Sequence, residues 1–228
     1  MPTTLLNPIS PAIITQRFGE NPAVYKQFGL AGHNGIDFRT KLPGSPDGKH
    51  SIVAPYWGKV MEVGDEGGHG YGRFVRILLS GGAQCVLGHL DHATVKQDDA
   101  VLPGQEIGIS DNTGFSTAPH LHFGYRPESW AKLTGNGFKG YVDPSHLLVD
   151  TVDKLMPPGA DPVFAAKMQG RILVDVQDHG RKWYVWGGLR YEIDKAPQFE
   201  AGLKGKPFVT WCQSADVAKI PQSPIVQP

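Results

Sequence analysis

Pro119-His120-Leu121-His122-Phe123 reads as a single strand with two chemically opposite faces. In an extended chain, residues i and i+2 project to the same side. His120 and His122 therefore share one face, while Leu121 and Phe123 enter an apolar layer on the other. The same alternation recurs upstream, where Val75, Ile77 and Leu79 interleave with Phe74, Arg76 and Leu78. Further apolar runs lie at residues 51–54, 59–63, 84–90, 106–109 and 121–125. Turn signals separate them: Gly67-Gly68, Gly81-Gly82, Pro103-Gly104 and Asn112-Thr113-Gly114,. Between residues 12 and 148 no long amphipathic helix is legible. The expected fold is mostly β, an antiparallel sheet or sandwich with long functional loops at 21–32 and 39–50.

Composition narrows the function classes. Lys+Arg and Asp+Glu both number 22 in 228 residues, so no general electrostatic case exists for nucleic acid or an anionic membrane as partner. Glycine at 29 and proline at 19 favour short strands and tight turns over long helices. Cys85 and Cys212 lie far apart, which suggests neither a disulfide framework nor a cysteine metal knuckle,. No run approaches the ~18 apolar residues a membrane span requires, and residues 1–10 show no signal peptide.

The length suits one good-sized domain with a small one attached. Residues 1–150 are expected to form the main domain. Residues 151–162, with Pro157-Pro158-Gly159, read as a linker,. Residues 163–228 form the accessory unit, whose clearest element is a hairpin: Trp183-Tyr184-Val185-Trp186, then Gly187-Gly188, then Leu189-Arg190-Tyr191-Glu192-Ile193,. A monomer is expected.

The chemistry concentrates in three segments: Gly32-His33-Asn34-Gly35-Ile36-Asp37-Phe38, Gly88-His89-Leu90, and the opening strand around His120 and His122. His33 and Asp37 are four apart, so one strand face (or one helix face) can present both. Gly35 and the β-branched Ile36 favour the extended reading. Three side chains drawn from two histidines and an aspartate can hold zinc and leave a fourth position open, as catalytic zinc sites do. His89 follows Cys85 and Leu87 on one strand face and is expected to reach the same site from a neighbouring strand. The other histidines (His50, His69, His92, His146 and His179) take an ordinary structural or solvated reading. No His-Glu-x-x-His motif is present, so the glutamate base that such a motif supplies is missing.

Residues 1–148 resemble the lysostaphin-type family of zinc metallo-endopeptidases along its whole order of segments. These include Gln16-Arg17-Phe18-Gly19, His33-Asn34-Gly35-Ile36-Asp37-Phe38, Val53-Ala54-Pro55, Gly58-Lys59-Val60 and Gly70-Tyr71-Gly72. Gly88-His89-Leu90, Pro103-Gly104-Gln105-Glu106-Ile107-Gly108 and the run from Thr113 to Phe123 complete the series. The resemblance implies that His33, Asp37 and His122 bind zinc while His89 and His120 are non-ligand catalytic histidines. It further implies a peptidoglycan substrate, cut within the stem peptide or cross-bridge, and a site of action at the cell wall, reached by secretion, in the periplasm or by phage delivery. Tyr71 and the two loops are candidates to wall the substrate groove.

Leu87, Gly88, Ala118 and Gly124 depart from residues common in the family, and residues 41–50 form a longer stretch than usual. These departures bear on substrate preference. The alternative reading is a metal-free relative that binds the wall or activates another hydrolase. The accessory unit resembles a small module of secreted bacterial proteins, with wall binding as its expected role.

Overall fold

The computed structural model describes residues 4–151, Leu155 and four strand segments between residues 171 and 212. The chain divides into two compact units, Met1–Leu155 and Met156–Pro228.

The first unit is built on a nine-stranded sheet. Its strands run β2 (Ile14–Gln16), β3 (Ile36–Arg39), β10 (His120–Arg126), β7 (Gln84–Ala93), β6 (Arg73–Leu79), β5 (Gly58–Asp65) and β8 (Ala100–Val101) across the sheet, neighbours pairing antiparallel where both partners are long. Off this path, β4 (Ser51–Val53) pairs with β9 (Glu106–Ser110), which also joins the end of β7. The mostly β, antiparallel expectation agrees with this architecture.

The alternation in sequence becomes two faces in space. Val75, Ile77, Leu87, Leu121 and Phe123 are fully buried in one apolar core with Ile36 and Phe38, whereas Leu78 on the other face is 37% exposed. Burial of each such side chain contributes roughly 1.5–3 kcal/mol. Cross-strand neighbours Phe123↔Ile36 and Leu121↔Phe38 pack β10 against β3, and Phe123↔Leu87 packs it against β7. That core fixes the register, and a one-residue slip would turn the β10 histidines into the apolar layer instead.

The smaller layer on the opposite face holds Phe74, Val86 and Tyr141 with Phe18, Tyr71 and Phe138 against them. Loop 21–32 crosses this side. It folds into a single helical turn (α1, Pro22–Tyr25) and a 3-10 turn (Lys26–Phe28). Ala31 N–H donating to the Gly137 carbonyl at 2.8 Å and Lys139 Nζ donating to the Phe28 carbonyl at 2.8 Å hold it down. The N-terminus adds β1 (Leu5–Leu6), which pairs in parallel with β11 (Leu148–Val149) and ties the two ends of the unit together. The sequence pattern, which begins near residue 12, did not reveal this strand.

In the second unit, β12 (Arg171–Asp175), β13 (Arg181–Trp186), β14 (Leu189–Glu192) and β15 (Phe208–Cys212) form a four-stranded sheet in the order β14-β13-β12-β15. β13 and β14 pair antiparallel with Trp186 opposite Leu189, which is the hairpin expected from the sequence. β12 and β15 run parallel. The linker expected at 151–162, apart from residues 151 and 155, lies outside the described residues, as do the side chains of Trp183, Trp186 and Trp211.

Candidate active site

β10 delivers two histidines to one face, as the sequence alternation requires. On β3, Asp37 stands directly opposite His122, and its Oδ1 lies 3.0 Å from His122 Nδ1. His33 comes from the bend that precedes β3. The expectation that one strand face presents both His33 and Asp37 needs correction, because the strand begins only at Ile36. The bend turns His33 back so that its Nε2 lies 3.0 Å from Asp37 Oδ1 and 2.9 Å from His122 Nδ1. All three residues are buried, and their ligand-capable atoms form one tight group.

Gly35 makes the close approach possible. A Cβ there would meet the Phe123 carbonyl oxygen at 2.5 Å and His122 Cε1 at 2.6 Å, so any side chain would push the imidazole away.

His89 reaches the site by a route the sequence does not predict. Cys85 and Leu87 lie in the apolar core, and strict alternation would send His89 there too. Instead His89 has φ +63, and the register of β7 against β6 slips between Leu87↔Val75 and Leu90↔Arg73. This bulge turns His89 to the opposite face and returns Leu90 to the core,. A left-handed conformation at a non-glycine residue is costly and persists when its surroundings fix it. Here the His89 N–H donates to the Tyr71 carbonyl (2.8 Å), the His89 carbonyl accepts from Asp111 N–H (2.9 Å), and Nδ1 contacts the Thr113 carbonyl at 2.7 Å.

Those carbonyl contacts also set tautomers, because only a protonated nitrogen can serve a carbonyl. His89 Nδ1–H donates to Thr113, His120 Nδ1–H to Ala118 at 2.8 Å, and His33 Nδ1–H to Arg17 at 3.1 Å. In each ring the Nε2 lone pair is left free. The His89 and His120 rings face each other with centroids 4.5 Å apart, and His120 Nε2 lies 3.6 Å from Asp37 Oδ2.

The electrostatics follow from burial. Burial raises the Asp37 carboxyl, but the His122 and His33 imidazoles beside it outweigh this and hold the group well below the usual carboxylate range. Burial lowers His122 to about 4, partly opposed by Asp37. It lowers His89 to about 3, helped by the neighbouring His120 and His122 and opposed by the Thr113 hydrogen bond. The Tyr71 hydroxyl is raised well above its ordinary value, chiefly by burial.

The three ligand-capable atoms fit a cation. With His33 Nδ1 committed to Arg17, the convergent atoms are an imidazole lone pair, a carboxylate oxygen and His122 Nδ1, mutually 2.9–3.0 Å apart. Three such atoms gathered around one point can share a divalent ion, and this donor set suits zinc.

A cavity of about 680 Å³ opens over the group, lined by Asp37, His89, His120 and His122 and by Tyr71, whose hydroxyl accepts a hydrogen bond from Asn34 Nδ2 at 2.7 Å. Loop 21–32 contributes Asn21, Val24, Tyr25, Phe28 and Leu30 to its wall. Loop 39–50 does not line it, contrary to expectation. That loop packs beside the site instead, with Ser110 Oγ donating to the Gly48 carbonyl at 2.8 Å and accepting from His50 N–H at 2.9 Å. The opposing wall comes from Phe115, Ser116 and Thr117. Phe28 and Phe115 meet across the cleft with ring centroids 5.0 Å apart.

Asn34, Thr113, Ser116 and Tyr141 were not singled out as site residues from the sequence. Asn34 and Thr113 lie inside the quoted motifs, but Thr113 acts through its backbone carbonyl, which leaves no mark on residue type.

The model of one family, described as peptidase family M23, matches residues 31–134. Those residues form an M23 domain. Over 104 residues the chain is 36% identical to lysostaphin of Staphylococcus simulans, covering 45% of this chain and 20% of that protein. It is 38% identical over 91 residues to an uncharacterized metalloprotease of Haemophilus influenzae, covering 40% of this chain and 18% of the relative. The chain thus matches about a fifth of the length of these curated relatives. Among solved structures, the catalytic domain of the prophage-encoded M23 protein EnpA from Enterococcus faecalis aligns with a TM-score of 0.45 at 28% identity, covering 59% of this chain and 90% of that one. The M23 match begins just before His33 and ends after His122, so all five histidine and aspartate side chains described above fall within it.

Proposed function

We propose that this chain is a zinc-dependent endopeptidase that hydrolyses peptide bonds in bacterial peptidoglycan. His33, Asp37 and His122 would hold the ion, His89 and His120 would handle protons, and Tyr71 would contact substrate. The observation that carries this reading is the cluster of three donor atoms 2.9–3.0 Å apart with two further imidazoles beside it. Membership of residues 31–134 in an M23 domain supports it, as does the similarity to lysostaphin.

Zinc in such a site would supply Lewis acidity, polarising a carbonyl and acidifying water. The chain's own residues do the rest. His120, its Nδ1–H anchored on Ala118, presents Nε2 as a proton acceptor, and Asp37 Oδ2 at 3.6 Å would stabilise the imidazolium that results. His89, fixed through Thr113, leaves a second Nε2 free on a ring 4.5 Å from that of His120. Positioned groups of this kind typically contribute about 10²–10⁴-fold. The Tyr71 hydroxyl, raised chiefly by burial, stays protonated.

The substrate lies in the cell wall, so we place the site of action there, reached by secretion or by phage delivery. Residues 163–228 are proposed as a separate accessory unit that binds the wall.

Zymography on purified peptidoglycan, with and without chelator, tests the reading. Clearing should vanish with chelator and return with added zinc, and mass analysis of the fragments should show new amino termini. Clearing that persists in metal-free protein would overturn it.

A further inference from the structure

We propose that Arg126 forms a carboxylate-binding subsite at one end of the cleft, which directs the site to stem peptides bearing free carboxylates. This inference rests on the peptidoglycan reading above and narrows it.

On β10, His122, Gly124 and Arg126 occupy alternate positions and share the site face. Gly124 leaves the floor open, and the Tyr141 ring fills that space: a Cβ at Gly124 would meet Tyr141 Cε1 at 2.8 Å. The Arg126 guanidinium stacks over Tyr141 at 4.2 Å from its centroid and over Trp130 at 4.6 Å. Both Arg126 and Tyr141 line the cleft.

Arg126 differs from the other cations that line this cleft. Lys139 Nζ donates to the Phe28 carbonyl, and Arg76 Nε lies 3.5 Å from the Glu62 carboxylate. Among the described residues Arg126 makes no ion pair, and its buried Nε, like that of Arg76, has no hydrogen-bond partner; what sets Arg126 apart is that no carboxylate stands beside it, as Glu62 does beside Arg76. The carboxylates that line the cleft are committed elsewhere: Asp37 to its histidines, and Glu66 to Tyr71 N–H at 2.7 Å.

A guanidinium clamped between two rings has lost most of its rotational freedom and offers a fixed fork of donors. A carboxylate matches that fork in shape and charge. Arg126 lies four strand positions beyond His122, roughly 13 Å along the chain, so the recognised group sits a few residues from the bond being cut. Stem peptides carry carboxylates at such distances, whereas the interior of a glycine bridge carries none.

The test compares a cross-linked muropeptide bearing free carboxylates with the same muropeptide converted to carboxamides, using the full zinc-loaded chain. Wild type should favour the free acid in kcat/KM by about tenfold or more, mostly through KM, as a charge-assisted pair implies. In Arg126→Met that ratio should collapse toward one, and in Arg126→Lys part of it should return. Thermal unfolding of both variants shows whether the ring stack survives. Equal cleavage of acid and amide by wild type, or a ratio unchanged in Arg126→Met, would overturn the subsite. Should wild type cut neither, the endopeptidase reading fails, and binding of the two muropeptides to the zinc-free chain decides the subsite: tighter binding of the acid that is lost in Arg126→Met supports it, and equal binding refutes it.

Discussion

His89 and His120 face each other with ring centroids 4.5 Å apart, one carried by a bulge in β7 and the other by the regular alternation of β10. Each is anchored through Nδ1 to a backbone carbonyl, Thr113 for His89 and Ala118 for His120. Both therefore leave the same nitrogen, Nε2, free, and that of His120 lies 3.6 Å from Asp37 Oδ2. This arrangement separates proton handling from ion holding, and the two can be tested apart.

Replacing His122 with Ala removes one corner of the three-atom group. Zinc content should fall to background, and activity with it. His89→Ala should retain zinc at wild-type stoichiometry while activity drops by about 10²–10⁴-fold. Metal analysis alongside wall lysis distinguishes the two, and a fully active His89→Ala protein would remove that residue from the mechanism.

Gly35→Ala should damage the site without replacing a candidate ligand. Its Cβ would lie 2.5 Å from the Phe123 carbonyl and 2.8 Å from His122 Nε2. Overpacking of this kind costs about 1–3 kcal/mol. Denaturant unfolding should show that loss, and zinc affinity should weaken because His122 is displaced. An unchanged midpoint together with unchanged zinc affinity would contradict the close approach.

Tyr71→Phe keeps the ring beside His122, at a centroid distance of 5.1 Å, and removes only the hydroxyl. Asn34 Nδ2 then loses its partner, at a cost of about 1–3 kcal/mol for a buried unsatisfied group. If the hydroxyl contacts substrate, kcat/KM should fall by more than the stability change explains. Steady-state kinetics at a temperature well below unfolding checks this.

Acid should destabilise the zinc-free chain in a defined window. Folded His122 and His89 titrate near 4 and 3, but in the unfolded chain both titrate near the ordinary histidine value of about 6.5. Below about 6.5 the unfolded chain binds protons the folded chain refuses, so stability falls as pH drops toward 4. Asp37, held low by its two histidines, loses its contribution only below the ordinary carboxylate range near 3.9. Urea midpoints measured from about pH 7 to about pH 4 should decline steadily, and His89→Gln should shallow the slope. A flat profile would show that these histidines are not buried as described.

The positions of His120, His122, Leu121 and Phe123 were legible because strand alternation is a local rule, and an apolar core on one side enforces it. Val75, Ile77 and Leu79 obeyed the same rule for the same reason. His89 broke it. Its path to the site depends on three hydrogen bonds from segments near residues 71, 111 and 113, which hold a left-handed backbone that local preference disfavours. The strand pairing of Leu5–Leu6 with Leu148–Val149 was equally invisible, since a two-residue strand has no period to read.

The sequence by itself determined the two-faced strands, the antiparallel β class and the residue types that could meet around an ion, because each follows from side-chain chemistry and a period of two. Only the tertiary structure decided that His33 approaches from a bend, that β7 bulges at His89, that loop 39–50 stays out of the cleft and that Arg126 stands between two rings with no ion-pair partner among the described residues. Those outcomes depend on backbone carbonyls, close approaches and missing counter-charges contributed by segments distant in the chain, and no local pattern of residues encodes them.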